Sequence, residues 1–127
     1  MDLLSRKLRK SKMKFLLFIL IPLISFSNDR DKYLHYGAGL GISIVTGKIV
    51  YEITDNNALS LSTGIFFGGL SGYGKEHYDR GIRKTYFSNE DALTTMWGAL
   101  NGAIILRVHI DIKEKKHRKK HPELYEY

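Results

Sequence analysis

The 127-residue sequence contains no cysteine. That absence excludes disulfides, thiolate metal sites, cysteine nucleophiles and a lipid-modified N-terminal cysteine. An internal repeat is also missing. Gly37-Ala38-Gly39-Leu40-Gly41 is rich in glycine, but no strand precedes it and its spacing is not that of a dinucleotide-binding loop. Ser60, Ser62 and Ser71 have no neighbouring base in an elbow motif. A basic folded face is lacking too, although the net charge is +7. Residues 1–14 hold six Lys/Arg against one Asp, whereas residues 28–106 hold seven against eight acidic residues. The remaining basic excess lies in residues 107–127, with seven Lys/Arg against four acids. A nearly neutral body with basic ends argues against a nucleic-acid-binding domain.

What is present suits one small domain between two basic ends. Residues 1–27 read as a signal peptide or N-terminal anchor. Basic residues through Lys14 precede the apolar run Phe15–Phe26, which is short for a membrane span. Ser25 and Ser27 supply the small residues of a cleavage site, with Asn28 as the first mature residue. Met13 offers an alternative start. Cleaved or anchored, residue 28 is expected on the outer side of the membrane.

Small residues recur every four positions along residues 28–110. His35, Gly39, Ser43 and Gly47 form one stripe, and Gly64, Gly68, Gly72 and Glu76 a second. Asp91, Thr95, Gly98 and Gly102 form a third. Residues three or four apart share a helical face, and small ones let helix backbones approach closely. The pattern predicts an all-α, three-helix, glycine-rich bundle. Its helices are expected over 31–53, 58–79 and 89–109, with Asn56 or Asn57 and the Ser88-Asn89-Glu90-Asp91 box as N-terminal caps. Residues 80–87 are read as a loop and residues 111–127 as a basic tail that need not fold.

The apolar stretches approach membrane length, and Tyr33 and Tyr36 face Tyr73, Tyr78, Tyr86 and Phe87 as two halves of an interfacial aromatic belt. Lys48 and Glu52 lie where long side chains can snorkel. Export of residue 28 places the basic tail inside, as the positive-inside rule prefers. Membrane lipid is then a partner, with anionic inner-leaflet lipid at the tail. Inner-membrane embedding is therefore expected. Against it stand a mean hydropathy of −0.22 and the outward placement of Arg80, Arg83 and Lys84. An exported soluble bundle in the periplasm is the alternative.

Packing the three stripes together gathers Asp31, His35, Lys75, Glu76, Asp79, Ser88 and Asp91 at one end. Imidazole and carboxylates suit a divalent cation, with His35, Glu76, Asp79 and Asp91 as candidate ligands. The same groups suit proton transfer. Lys75, Arg80, Arg83 and Lys84 suit an anionic head group. Each residue also has a plainer role. Asp31 and Asp91 stabilise helix N-termini, and Asp31–His35 and Lys75–Asp79 are local i,i+4 pairs. His77 lies off the stripe, Trp97 suits packing or lipid contact, and His109, His117 and His121 are scattered among lysines.

Asp31-Lys32-Tyr33-Leu34-His35, then Gly74-Lys75-Glu76-His77-Tyr78-Asp79, then Ser88, Asp91 and Gly98 resemble the YfiM-like family of uncharacterised envelope proteins. Their shared pattern is DKxxH, a glycine-rich helix ending KExxD, then SxxD and a later glycine. It spans about residues 30–105. The resemblance implies a small envelope protein without an established activity. Here no cysteine is present to carry the lipid of the lipoprotein members. A more distant similarity is to VanZ-like membrane proteins, whose glutamine and asparagine positions do not match, so their function is not carried over. Three functions stay open: a non-enzymatic protein binding a cation or anionic head group, a metal-assisted hydrolase of an envelope lipid or glycan precursor, and a structural subunit. The last would use its glycine faces on a partner helix or a second copy.

Overall fold

The computed structural model describes residues 30–125, so the expected signal peptide or anchor lies outside the described residues. Three helices follow one another: α1 (Arg30–Thr54), α2 (Asn57–Ile82) and α3 (Asn89–Lys120). A single 3-10 turn, Pro122–Leu124, closes the described chain. The fold is an all-α three-helix bundle in which each helix packs on both others.

The helix ends have local causes. Asn56 caps α2 by accepting a hydrogen bond from the Leu59 amide at 3.0 Å, which satisfies one of the free N–H groups of the first turn. Asp55 adopts φ 50°, a left-handed conformation that lets the chain reverse within two residues. Ser88 caps α3 through the Asp91 amide at 3.2 Å. Between them α2 continues a turn past its expected end, through Gly81 to Ile82. The amides of Arg83 and Thr85 both end on the Asp79 carbonyl, and Lys84 turns the chain away at φ 55°.

Close approach of backbones holds the bundle together. A Cβ atom at Gly39 would fall on the Thr95 carbonyl oxygen, and one at Gly98 on the Tyr36 carbonyl oxygen. α1 and α3 therefore meet main chain to main chain. At Gly64 a Cβ would lie 2.6 Å from the Ser43 carbonyl oxygen, and at Gly68 it would lie 2.6 Å from the Ala99 methyl. Ser60 Oγ donates to the Gly47 carbonyl at 2.6 Å. At the far end, Tyr51 and the Asn57 amide both donate to Glu114, each at 3.2 Å.

One expectation needs correction and a second is left without support. The basic stretch from Lys113 to Lys120 is helix, because α3 continues without a break past residue 110. Ile110 is buried and Glu114 is tied to α1 and α2, so tertiary contacts carry the helix into its charged segment. The second concerns the membrane spans. Among the described residues no helix is long and apolar enough to cross a membrane. The deficit is in apolarity, since the helices are 25, 26 and 32 residues long. Glycine, serine and threonine occupy one face of each helix, and α2 ends in Lys75, Glu76, Asp79 and Arg80.

The burial pattern is also unusual. His35, Ser43, Ser60, Glu76, Thr94, Thr95 and Asn101 are buried, while the buried apolar side chains are Tyr36, Ala99, Ala103, Leu106 and Ile110. Leu34, Val45, Ile49, Phe66, Phe67, Leu70, Leu93 and Ile112 are exposed. Many large apolar groups thus point outward, while small or polar residues join Tyr36, Leu106 and Ile110 on the inside.

Gly39→Ala and Gly98→Ala should each lower stability by about 1–3 kcal/mol, because an added methyl must push two backbones apart. Gly37 and Gly41 have nothing within 4 Å of an added Cβ. Alanine there should leave stability unchanged or raise it by up to about 1 kcal/mol, since glycine is a poor helix former. Circular dichroism melts of the four variants compare the two classes. Equal losses at all four positions would remove the close-approach argument.

Candidate functional site

The first turns of α1, the last turns of α2 and the start of α3 share one end of the bundle. His35 is at its centre, 4% exposed. Its Nδ1 lies 3.1 Å from Thr95 Oγ1. The single proton of that hydroxyl goes to the Asp91 carbonyl at 3.0 Å, so Thr95 must accept from His35. The network thus assigns the proton of the imidazole to Nδ1 and leaves the lone pair on Nε2.

Nε2 faces polar groups of α1 and α2. Lys75 Nζ lies 3.1 Å from it. Asp31 Oδ2 is 3.6 Å away and Glu76 Oε1 3.7 Å away. Lys75 is shared, with Asp79 Oδ2 at 3.1 Å and Glu76 Oε1 at 3.6 Å. Glu76 is as buried as His35, and its second oxygen accepts the Ser88 amide at 3.0 Å. A buried carboxylate without such partners would be costly. Here it joins the end of α2 to the capping residue of α3. Lys32 and Glu90 add a rim pair between α1 and α3 at 2.7 Å.

Asp31, His35 and Asp91 each offer a ligand atom, and these atoms lie within 4.8 Å of one another. One imidazole nitrogen and two carboxylate oxygens at that spacing can converge on a divalent cation. The Thr95 hydroxyl behind Nδ1 fixes the ring as outer partners of metal-binding histidines do.

Of the residues expected here, Asp31, His35, Lys75, Glu76, Asp79, Ser88 and Asp91 do come together. The four expected ligands divide. Asp79 is held by Lys75 and by Arg83, whose Nε is 3.6 Å from Asp79 Oδ1, and Glu76 is held by the Ser88 amide. Asp31, absent from the expected ligands, takes their place beside His35 and Asp91. The expected anion group also divides. Arg83 pairs with Asp79, whereas Arg80 and Lys84 are exposed and make no ion pair with the described residues. Thr95 is the functional residue that sequence reasoning took only for a small packing residue. Its signal was the i+4 spacing from Asp91 within the third stripe. His77 lies off the cluster, as expected, and meets Tyr73 and Phe87 edge to face with ring centroids 4.5 and 5.2 Å apart.

A cleft of about 800 Å³ lies at the opposite end, lined by Tyr51, Asp55, Glu114, His117, Arg118 and Tyr125 among others. Within it Glu114 accepts from Tyr51 and Asn57, and His117 lies 3.3 Å from the Tyr125 hydroxyl.

No protein-family model matches the chain, and no curated protein or solved structure matches it either. The likeness to the YfiM-like pattern therefore rests on the residues quoted for it.

Thr95→Val keeps the shape of the side chain but removes the acceptor for the buried His35 N–H. It should cost about 1–3 kcal/mol, the penalty of an unsatisfied buried donor. Thr95→Ser keeps the hydroxyl and should cost less. Chemical denaturation of both variants checks the order, and the reverse order would show that the methyl packing matters more than the hydrogen bond.

Proposed function

We propose that this chain is a small membrane protein of the cell envelope that binds a divalent cation at its Asp31–His35–Asp91 end. The observation that carries the cation reading is the commitment of His35. Its Nδ1–H is used by Thr95, so its lone pair lies on Nε2, which has the Asp31 and Glu76 carboxylates at 3.6 and 3.7 Å, while Asp31, His35 and Asp91 each offer a ligand atom within 4.8 Å of the others. Charge favours a cation over an anionic head group. Asp31, Glu76, Asp79 and Asp91 outnumber Lys75 and Arg83 in the cluster, and both cations already have carboxylate partners.

Membrane placement is supported by the direction of the side chains rather than by mean hydropathy. Leu34 to Ile53 on α1, Leu59 to Tyr78 on α2 and Leu93 to Ile112 on α3 each mark an exposed apolar stripe. Each stripe extends about 28 Å at 1.5 Å per residue, close to the thickness of a hydrocarbon core. Polar groups of the same helices face one another, as ionisable groups within membrane bundles do. Acyl chains are the natural partner of the outward faces. The YfiM-like pattern agrees with an envelope location, and the basic end of α3 agrees with a cytoplasmic position for residues 113–120.

Two experiments test the reading. Purified full-length protein, free of any histidine tag, is titrated with Mn²⁺ and the free ion is followed by electron paramagnetic resonance. Mn²⁺ is preferred because His117 and His121, with rings 4.9 Å apart, offer Zn²⁺ a second seat. His35→Ala and Asp91→Asn should weaken binding at least tenfold; unchanged affinity in both would end the cation assignment. Topology is read separately with Arg83→Cys and His117→Cys, single cysteines in a chain that has none. An impermeant maleimide should label intact cells at position 83 and not at 117. Labelling at both, with the protein in the soluble fraction, would overturn the membrane reading.

A further inference from the structure

The lone pair on His35 Nε2 has two claimants. A cation bound between Asp31, His35 and Asp91 needs it, because Nδ1 carries the proton given to Thr95. Lys75 already takes it, with its ammonium 3.1 Å from Nε2. One lone pair cannot serve both, so ammonium and metal ion exclude each other at this nitrogen. The ammonium also supplies the positive charge that the buried Glu76 carboxylate, 3.6 Å away, would otherwise seek from an ion. We infer that Lys75 is a tethered occupant of the cation site, one that a divalent ion must displace in order to bind. The inference rests on the cation reading of the cluster and concerns how that site is controlled.

The surroundings of Lys75 fit a group that can leave. Its side chain is 49% exposed, whereas those of His35 and Glu76 are 3% and 5% exposed. Its stem starts near the end of α2, and Asp79 one turn on holds the ammonium at 3.1 Å. Swinging outward keeps that partner. Glu76 retains the Ser88 amide, and Asp79 retains Arg83. The buried Nε2 that Lys75 leaves is the group the incoming ion takes. The imidazole, by contrast, cannot turn away without breaking its bond to Thr95.

A tethered competitor acts at a high effective concentration. The site is then available only for the fraction of time that Lys75 is away, and the apparent affinity falls by that fraction. Such a site is not permanently filled. It stays closed at low cation concentration and opens above a threshold set by the lysine.

The test compares Mn²⁺ affinity in full-length wild type, Lys75→Met, Lys75→Ala and Lys75→Arg, with melts recorded on each. Both neutral substitutions should bind Mn²⁺ at least tenfold more tightly than wild type, and Lys75→Arg should stay close to wild type. Adding His35→Ala to Lys75→Met should abolish the gain. Affinity equal to wild type in both neutral variants would overturn the tethered-occupant inference while leaving the cation site standing. Absence of Mn²⁺ binding in every variant, including Lys75→Met, would overturn the cation reading and this inference together.

Discussion

The crossing of α1 over α3 sets the position of everything else. At that crossing, hydrogen atoms stand where other residues carry Cβ, so the Gly39 and Gly98 backbones press against the Thr95 and Tyr36 carbonyls. Contact at main-chain distance permits little sliding, because any shift puts a real side chain into the gap. The register it fixes places Thr95 beside His35. α2 then lies in the seam, with Gly68 against both Ala99 and the Gly39 carbonyl and Gly72 over the Thr95 side chain. One turn further along α2 comes Glu76, which arrives at His35 as a consequence. The polar cluster is thus the next layer of the glycine stripes.

That packing changes which force does the stabilising. Close helix contact gains dispersion energy and internal hydrogen bonds such as Ser60 to the Gly47 carbonyl. It buries few large apolar side chains, and the hydrophobic effect in water rewards mainly those. Leu, Ile and Phe side chains stand on the outside. Helix association through small residues with apolar groups turned outward is the arrangement that suits a lipid surrounding. Low mean hydropathy and a membrane location are compatible on this basis. The average includes the inward faces, which would not meet lipid under the proposed placement.

Much of this was legible in the sequence, for identifiable reasons. Glycine at four-residue spacing has few explanations other than a packed helical face, and Gly39, Gly64, Gly68, Gly72, Gly98 and Gly102 are all buried there. Capping chemistry is local, so Asn56 and Ser88 were readable. Helix α3 was read about a dozen residues short because a run of lysines signals solvent and says nothing of backbone state. The bond from Asn57 and Tyr51 to Glu114, which anchors that region, joins positions distant in sequence. Thr95 was hidden for a different reason, since a hydroxyl in a small-residue stripe looks like a spacer until its partner is placed. The loop cations are neighbours in sequence, but only Arg83 reaches the cluster, through Asp79, a pairing that depends on side-chain direction at the end of α2.

The two ends of the bundle are tied in different ways. At the Tyr51 end, Glu114 accepts from two helices at once and the short Asp55–Asn56 turn joins α1 to α2 covalently. At the His35 end the connection from α2 to α3 is longer, and Lys75 is shared among three acceptors rather than bound by one. Below the cluster lie the glycine contacts of Gly39, Gly72 and Thr95, which do not involve Lys75. The proposed exchange of Lys75 for a cation would therefore leave these glycine contacts as they are. The close-packed seam holds His35 still, and the half-exposed Lys75 side chain is the mobile partner that the proposed cation exchange requires.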